Sequence, residues 1–420
     1  MSKLHNPPKQ RQFFSTLDSL RGIAALIATI FHIQWIHPIY NWGLIRNGYL
    51  MVDFFFVLSG FVICHSYRHK ISNGSDLKRF MWLRAGRLYP LHFMTLIIFI
   101  GLEGLNWIQE LVKGSIGNTA AFTINNWFAI LTNLFLVQSL GVHHSNTFNN
   151  PSWSISTEFY TYLVFALVLL FARTRLTLFA SSIFLILLST WIILSANKTD
   201  LDITYDYGIF RCVASFFIGI VTYQIYELLS HKAGIGKRGK LINSFYPLAI
   251  FVGIVIFISV KEKGYTDFFL PPLFGILILS ITTAPNRIMD SVLNLRPFAW
   301  LGKVSYSIYM VHALDLYFFS AILKFVFKVT LIPTLGLNSL QIENLINSTA
   351  HESSGIITTS ALHFILLCLA VTTILFLSHF TYTWIEDPFR KRSKELAERW
   401  FPKETELVTS ESQKIAVISK

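Results

Sequence analysis

Arg21 and His32 lie eleven positions apart inside one uninterrupted apolar run. On a helix they fall within about 20° of one face and roughly 16 Å apart along the axis. An imidazole can take or give a proton near neutral pH, which makes His32 a candidate general base. The next apolar run, "NGYLMVDFFFVLSGF", brings Asp53 to a similar depth on an antiparallel neighbour. A His32–Asp53 hydrogen bond would fix the imidazole tautomer and free its other nitrogen for catalysis. The plain alternatives are a buried ion pair that fixes helix packing for Asp53 and a snorkelling side chain for Arg21.

Further ionisable groups sit at membrane depth, where they are costly and mark a functional interior. Glu158 enters in "NNPSWSISTEFYTY", with Ser154 and Tyr162 one turn to either side and Trp153 just before. Arg211, Tyr309, His312 and Asp315 add polarity in later apolar runs. Arg84 and Arg87 in "KRFMWLRAGRLYP" share a helical face at a basic rim. Two guanidiniums there can clamp phosphates, although ordinary loop topology also places basic residues at such a rim. The connector "GIGKRGK" at Gly234–Lys240 lacks phosphate-loop spacing. His143 and His144 have no third ligand, and Cys64, Cys212 and Cys368 lie in apolar runs, so no metal site or disulfide framework is expected.

These residues need helices in lipid to position them. Of 420 residues, 53% are hydrophobic and only 14% charged, with 38 Phe, which excludes an ordinary soluble domain. Runs of spanning length cover about Leu17–Ile36, Leu50–Tyr67, Leu88–Leu105, Ser154–Phe171, Leu176–Leu194, Tyr207–Leu229, Phe245–Val260, Phe268–Ala284, Tyr306–Phe327 and Ile356–Ile385. The first lacks a cleavage site and reads as a retained span. Phe122–Leu140 is weaker: Asn125, Asn126, Thr132, Asn133 and Gln138 would be costly facing lipid. The pattern predicts an all-α membrane bundle of about ten transmembrane helices plus one re-entrant or interfacial helix.

The net charge of +12 does not imply nucleic acid, because the basic residues are scattered through short loops. Most of the 35 lysines and arginines fall in alternate connections, with Arg46, Lys113, Lys198, Lys261 and Lys263 among the few in the others. By the positive-inside rule both termini are then cytoplasmic. The expected organisation is a cytoplasmic segment 1–16, a transmembrane domain 17–385 and a charged tail 386–420, part helix and part disordered. No internal repeat is visible, and no stretch is long enough for a second catalytic domain.

The chain resembles the acyltransferase-3 family of multi-spanning membrane O-acyltransferases along nearly its whole length. The resemblance is carried by "LDSLRGIAALIATIFHI", "VDFFFVLSGF", "RAGRLYP", "PSWSISTEF", Arg211 followed by "FFIG", and "LGKVSYSIYMVH". Met51 departs from the glycine common in the family two residues before the aspartate. The resemblance implies a bacterial plasma-membrane enzyme that moves an acyl group, most often acetyl, from cytoplasmic acyl-CoA to a hydroxyl of a carbohydrate or other cell-envelope acceptor. On that expectation His32, Asp53 and Glu158 are catalytic, and Arg21, Arg84 and Arg87 bind the acyl-CoA. Trp153, Ser154, Arg211, Tyr309 and His312 line the cavity. His32 acts as general base or carries the acyl group covalently. A transporter or flippase of an envelope precursor is the alternative, since midplane charges also mark transport paths.

Overall fold

The computed structural model describes residues 14–33, 39, 41–114, 120–233, 245–284, 287–326 and 357–402. The expected N-terminal segment, the Gly234–Lys240 connector and most of 329–358 lie outside them, as does the chain beyond Pro402. Helices account for all the regular structure among the described residues. This is what hydrocarbon demands of a chain whose backbone groups must bond within their own segment.

The helices are α1 (Ser15–Phe31), α2 (Met51–Tyr67), α3 (Gly74–Lys113), α4 (Trp127–Leu134), α5 (Trp153–Phe171), α6 (Arg175–Ser195), α7 (Gly208–Ala233), α8 (Tyr246–Val260), α9 (Leu270–Thr283), α10 (Arg296–Val326), α11 (Ile357–Thr381) and α12 (Asp387–Trp400). Eight of the helical runs are long and apolar enough to cross a membrane. Every predicted span has a helix; α2 and α9 reach spanning length only with the 3-10 turns that precede them, and α1 and α8 stay at 17 and 15 residues. Large apolar side chains such as Phe184, Leu187 and Trp191 on α6 face outward, the inverse of a water-soluble surface.

Three details differ from the sequence reading. Helix α1 stops at Phe31 with His32 as its C-cap, so His32 sits at a helix end rather than within a twenty-residue span. Helix α3 runs 40 residues from Gly74, starting well before the expected span Leu88–Leu105 and taking in the basic stretch "KRFMWLRAGRLYP". Its start is capped by the Asn73 side chain, which accepts from the Asp76 backbone N–H, and its end by Gly114 at φ 63°. Arg84 and Arg87 therefore ride on a rigid helix. Finally, α11 passes without a break through a π turn, Tyr382–Glu386, into α12, so the expected boundary at 385/386 falls inside one helical run.

The weak segment 122–140 contains only the eight-residue α4, about 12 Å long, far short of a span. Its polar side chains are bonded within the protein. Asn126 caps α4, Asn133 reaches Thr147 Oγ1 at 2.8 Å, and His92 Nε2 of α3 meets Asn133 O at 2.9 Å.

Two close helix contacts set the frame around the interior. A Cβ at Gly60 would lie 1.9 Å from Phe216 O, and one at Gly219 2.0 Å from Val57 O, so α2 and α7 meet backbone to backbone. Gly302 of α10 meets Asp18 O of α1 in the same way, at 2.3 Å. These two running pairs carry Asp53 and Arg211 on one side and Arg21, His32 and His312 on the other.

Helix α12 lies along the start of α3. Trp82 Nε1 donates to Ser393 O at 3.0 Å, and Trp82 packs on Trp400 with ring centroids 4.8 Å apart. At its N-terminus the Lys391 ammonium and Arg390 guanidinium hold the Asp387 carboxyl below the usual range.

Candidate active site

Arg21 does not snorkel. Its Nε donates to Ser305 Oγ at 2.9 Å and its Nη2 to Gly302 O at 3.0 Å, which ties α1 to α10, while Asp18 Oδ1 lies 3.0 Å away. Held this way, Arg21 lines a cavity together with Arg87, Ser154, Glu158, Tyr306 and Tyr309. The α2 wall, Val52, Phe55 and Phe56, is apolar apart from Ser59.

Glu158 is anchored by two hydroxyls on one oxygen. Ser59 Oγ donates to Oε1 at 2.6 Å and Tyr162 Oη at 2.5 Å, which leaves Oε2 toward other partners. Arg87 and Arg84 part company despite their shared face. Arg84 is packed among the rings of Tyr67, Phe80 and Tyr162, with Nη2 3.2 Å from Tyr67 Oη. Arg87 reaches the cavity, and no described residue hydrogen-bonds or ion-pairs with it.

The expected His32–Asp53 pair is absent. Asp53 instead receives Arg211, whose Nη2 donates to Oδ2 at 2.7 Å and whose Nε lies 3.2 Å from both carboxylate oxygens. Ser215 Oγ completes the carboxylate at 2.9 Å, and Tyr49 O and Ile203 O take the remaining guanidinium donors. Trp153 lies face-on to this guanidinium at 5.2 Å and edge-on to Phe56, so it covers the ion pair rather than lining the cavity. Both charges are fully buried, with every strong donor and acceptor met. The reason for the switch is topological: α2 packs face to face on α7, and that contact turns Asp53 toward Arg211.

His32 faces another imidazole. Its ring and that of His312 have centroids 4.9 Å apart at 42°. His32 Nδ1 lies 2.8 Å from Ala28 O and His312 Nδ1 2.7 Å from Tyr309 O. A carbonyl can only accept, so in each neutral ring the proton sits on Nδ1 and Nε2 keeps its lone pair. His312 Nε2 is buried without a partner among the described residues. Tyr309 packs against His312 at 5.8 Å and also lines the cavity, so it links the histidines to Glu158 and Arg87. Asp315, one turn further along α10, receives Thr373 Oγ1 at 2.9 Å.

The structure thus gathers Arg21, Arg87, Glu158, Ser154 and Tyr309 around one space, sets His32 and His312 beside it, and places Asp53, Arg211 and Trp153 in a separate buried knot. Sequence reasoning missed Ser59, Ser305 and Tyr306, ordinary residues in apolar runs whose face is known only once the helices pack. It also missed Glu386, buried in the π turn with Ser307 Oγ 2.8 Å from Oε2.

A family model described as "Acyltransferase domain" matches residues 14–380. The chain is 24% identical over 318 residues to peptidoglycan O-acetyltransferase OatA of Listeria monocytogenes, covering 72% of this chain and 49% of that protein. It is 24% identical to putative peptidoglycan O-acetyltransferase YrhL of Bacillus subtilis, covering 74% and 49%. The match to O-acetyltransferase OatA of Staphylococcus aureus is also 24%, covering 74% and 51%. The chain spans about half the length of these relatives. No solved structure matches.

Proposed function

Since this chain belongs to the acyltransferase family whose domain model it matches, we propose that it is a membrane O-acetyltransferase. It takes acetyl from acetyl-CoA on the cytoplasmic side and delivers it to a hydroxyl of a cell-envelope carbohydrate. The observation that carries the reading is the His32–His312 pair, joined through Tyr309 to a cavity that Arg87 also lines, a guanidinium with no hydrogen bond or ion pair among the described residues. The acetyltransferase names of the relatives support acetyl as the group and an envelope glycan as the acceptor.

On this reading Arg87 and Arg21 receive phosphate or carbonyl oxygens of the donor, and the thioester lies near Tyr309. His32 Nε2 takes the proton of the acceptor hydroxyl as its oxygen bonds to the thioester carbon. The tetrahedral oxyanion is met by the Tyr309 hydroxyl, the C–S bond breaks, and the thiolate recovers the proton from the imidazolium. Asp53 takes no part in the proton transfer and acts by holding α2 on α7.

The test uses purified protein in proteoliposomes with radiolabelled acetyl-CoA and a soluble glycan acceptor. His32→Gln should lower transfer by about a hundredfold or more with unchanged thermal stability. Full transfer by the folded variant would end the proposal. Label trapped on the protein without acceptor would select the covalent route over direct attack.

A further inference from the structure

Glu386 is a carboxylate 5% exposed, in a place the proposed chemistry does not use. It closes the π turn between α11 and α12. A π turn inserts one residue into the helical register, and such turns are found frequently at functional sites. Without the insertion, a residue at this point would swing by about 100° around the axis. Register therefore decides whether Glu386 points into the bundle.

Inside the bundle, Ser307 of α10 holds Oε2 at 2.8 Å. The carboxylate's strongest attractive neighbour is Arg87, and Arg21 is also within its field. Glu158, which lines the cavity with Arg87, is engaged by Ser59 and Tyr162. Arg87 thus lies in the field of Glu386, Glu158 and Asp18 and closes an ion pair with none of them among the described residues.

We propose that Glu386 is a positioning residue for the donor site: seated behind Arg87 by the π turn and Ser307, it keeps that guanidinium from collapsing onto Glu158, leaving it open to an anionic nucleotide. This rests on the reading of the cavity as the acyl-CoA site. The charge of Glu386 matters here as a counterweight. Removing it frees Arg87 to pair with Glu158 and shut the cavity, and removing Glu158 as well takes away the partner onto which Arg87 would close.

The experiment measures CoA binding to the full chain in detergent by calorimetry, with no turnover required. Wild type should bind and Arg87→Ala should not. Glu386→Gln should bind about tenfold more weakly, Glu386→Asp should recover part of the loss, and Glu386→Gln with Glu158→Gln should return toward wild type. A purely structural role for Glu386 would not give that recovery. If Glu386→Gln fails to fold, Ser307→Ala, which frees the carboxylate without removing it, should show a smaller loss of the same kind. Should wild type fail to bind CoA, the donor-site reading falls. Should wild type bind and Arg87→Ala lose binding while Glu386→Gln, or Ser307→Ala in its place, binds normally, the cavity reading stands and the role of Glu386 is refuted. A double variant that binds no better than Glu386→Gln also refutes it.

Discussion

The separation of Asp53 from His32 can be tested by asking whether Asp53→Asn costs stability or chemistry. The carboxylate meets Arg211 through Nε and Nη2 at 2.7–3.2 Å and Ser215 at 2.9 Å, with both charged side chains at 1% exposure or less. Neutralising one partner of such a pair leaves an uncompensated buried charge, which costs about 3–5 kcal/mol. The guanidinium keeps its bonds to Tyr49 O and Ile203 O, which places the expected loss toward the lower end, about 3 kcal/mol. Replacing both partners with apolar residues of similar volume, Asp53→Leu with Arg211→Met, should recover most of that loss. The assay is thermal unfolding in detergent, paired with transfer activity normalised to folded protein. The expected outcome is a large drop in stability for Asp53→Asn, with activity per folded molecule falling far less than for His32→Gln. Asp53→Asn with wild-type stability and no transfer would refute the reasoning and return Asp53 to the catalytic set.

Two further outcomes follow from the same geometry. Arg87→Ala should raise the KM for acetyl-CoA, whereas Arg84→Ala should chiefly lower the melting temperature, because Arg84 is packed among Tyr67, Phe80 and Tyr162 while Arg87 faces the cavity; parallel KM and stability profiles would contradict this division. Gly219→Leu should prevent assembly of the fold, since even its Cβ would lie 2.0 Å from Val57 O, and size-exclusion chromatography showing a stable monodisperse variant would disprove the close α2–α7 contact.

How much of this was legible can be argued residue by residue. Arg21, His32, Glu158 and Tyr309 stood out because a polar group in an apolar run must be satisfied somewhere inside. The partner of Asp53 was not legible: depth along a helix can be counted, but which neighbour α2 packs against depends on a glycine contact between Gly60 and Gly219, 159 positions apart in the chain. The extent of α3 was misread because a basic stretch looks like a loop, although the sequence Asn73-Gly74-Ser75-Asp76 carries a helix-start signal. Glu386 stayed hidden because it lies between an apolar run and a charged tail, and only the π turn decides which way it faces.

The exchange of partners around His32 bears on the chemistry itself. A carboxylate bonded to His32 would hold the imidazolium strongly once formed. The structure gives it the carbonyl of Ala28 at the C-terminal end of α1 instead, where the helix dipole favours a positive charge by roughly 0.3–1 kcal/mol. In the proposed reaction the proton must be taken from the acceptor and returned to the departing thiolate within one cycle. A base steadied by a carbonyl and a helix end is enough to fix the tautomer without trapping the proton. The buried Asp53–Arg211 pair contributes by absence: with its carboxylate bound by Arg211 and Ser215, it does not compete for the His32 ring. On the proposed reaction the stronger acid–base partner is thereby used for packing, and the weaker one for proton transfer.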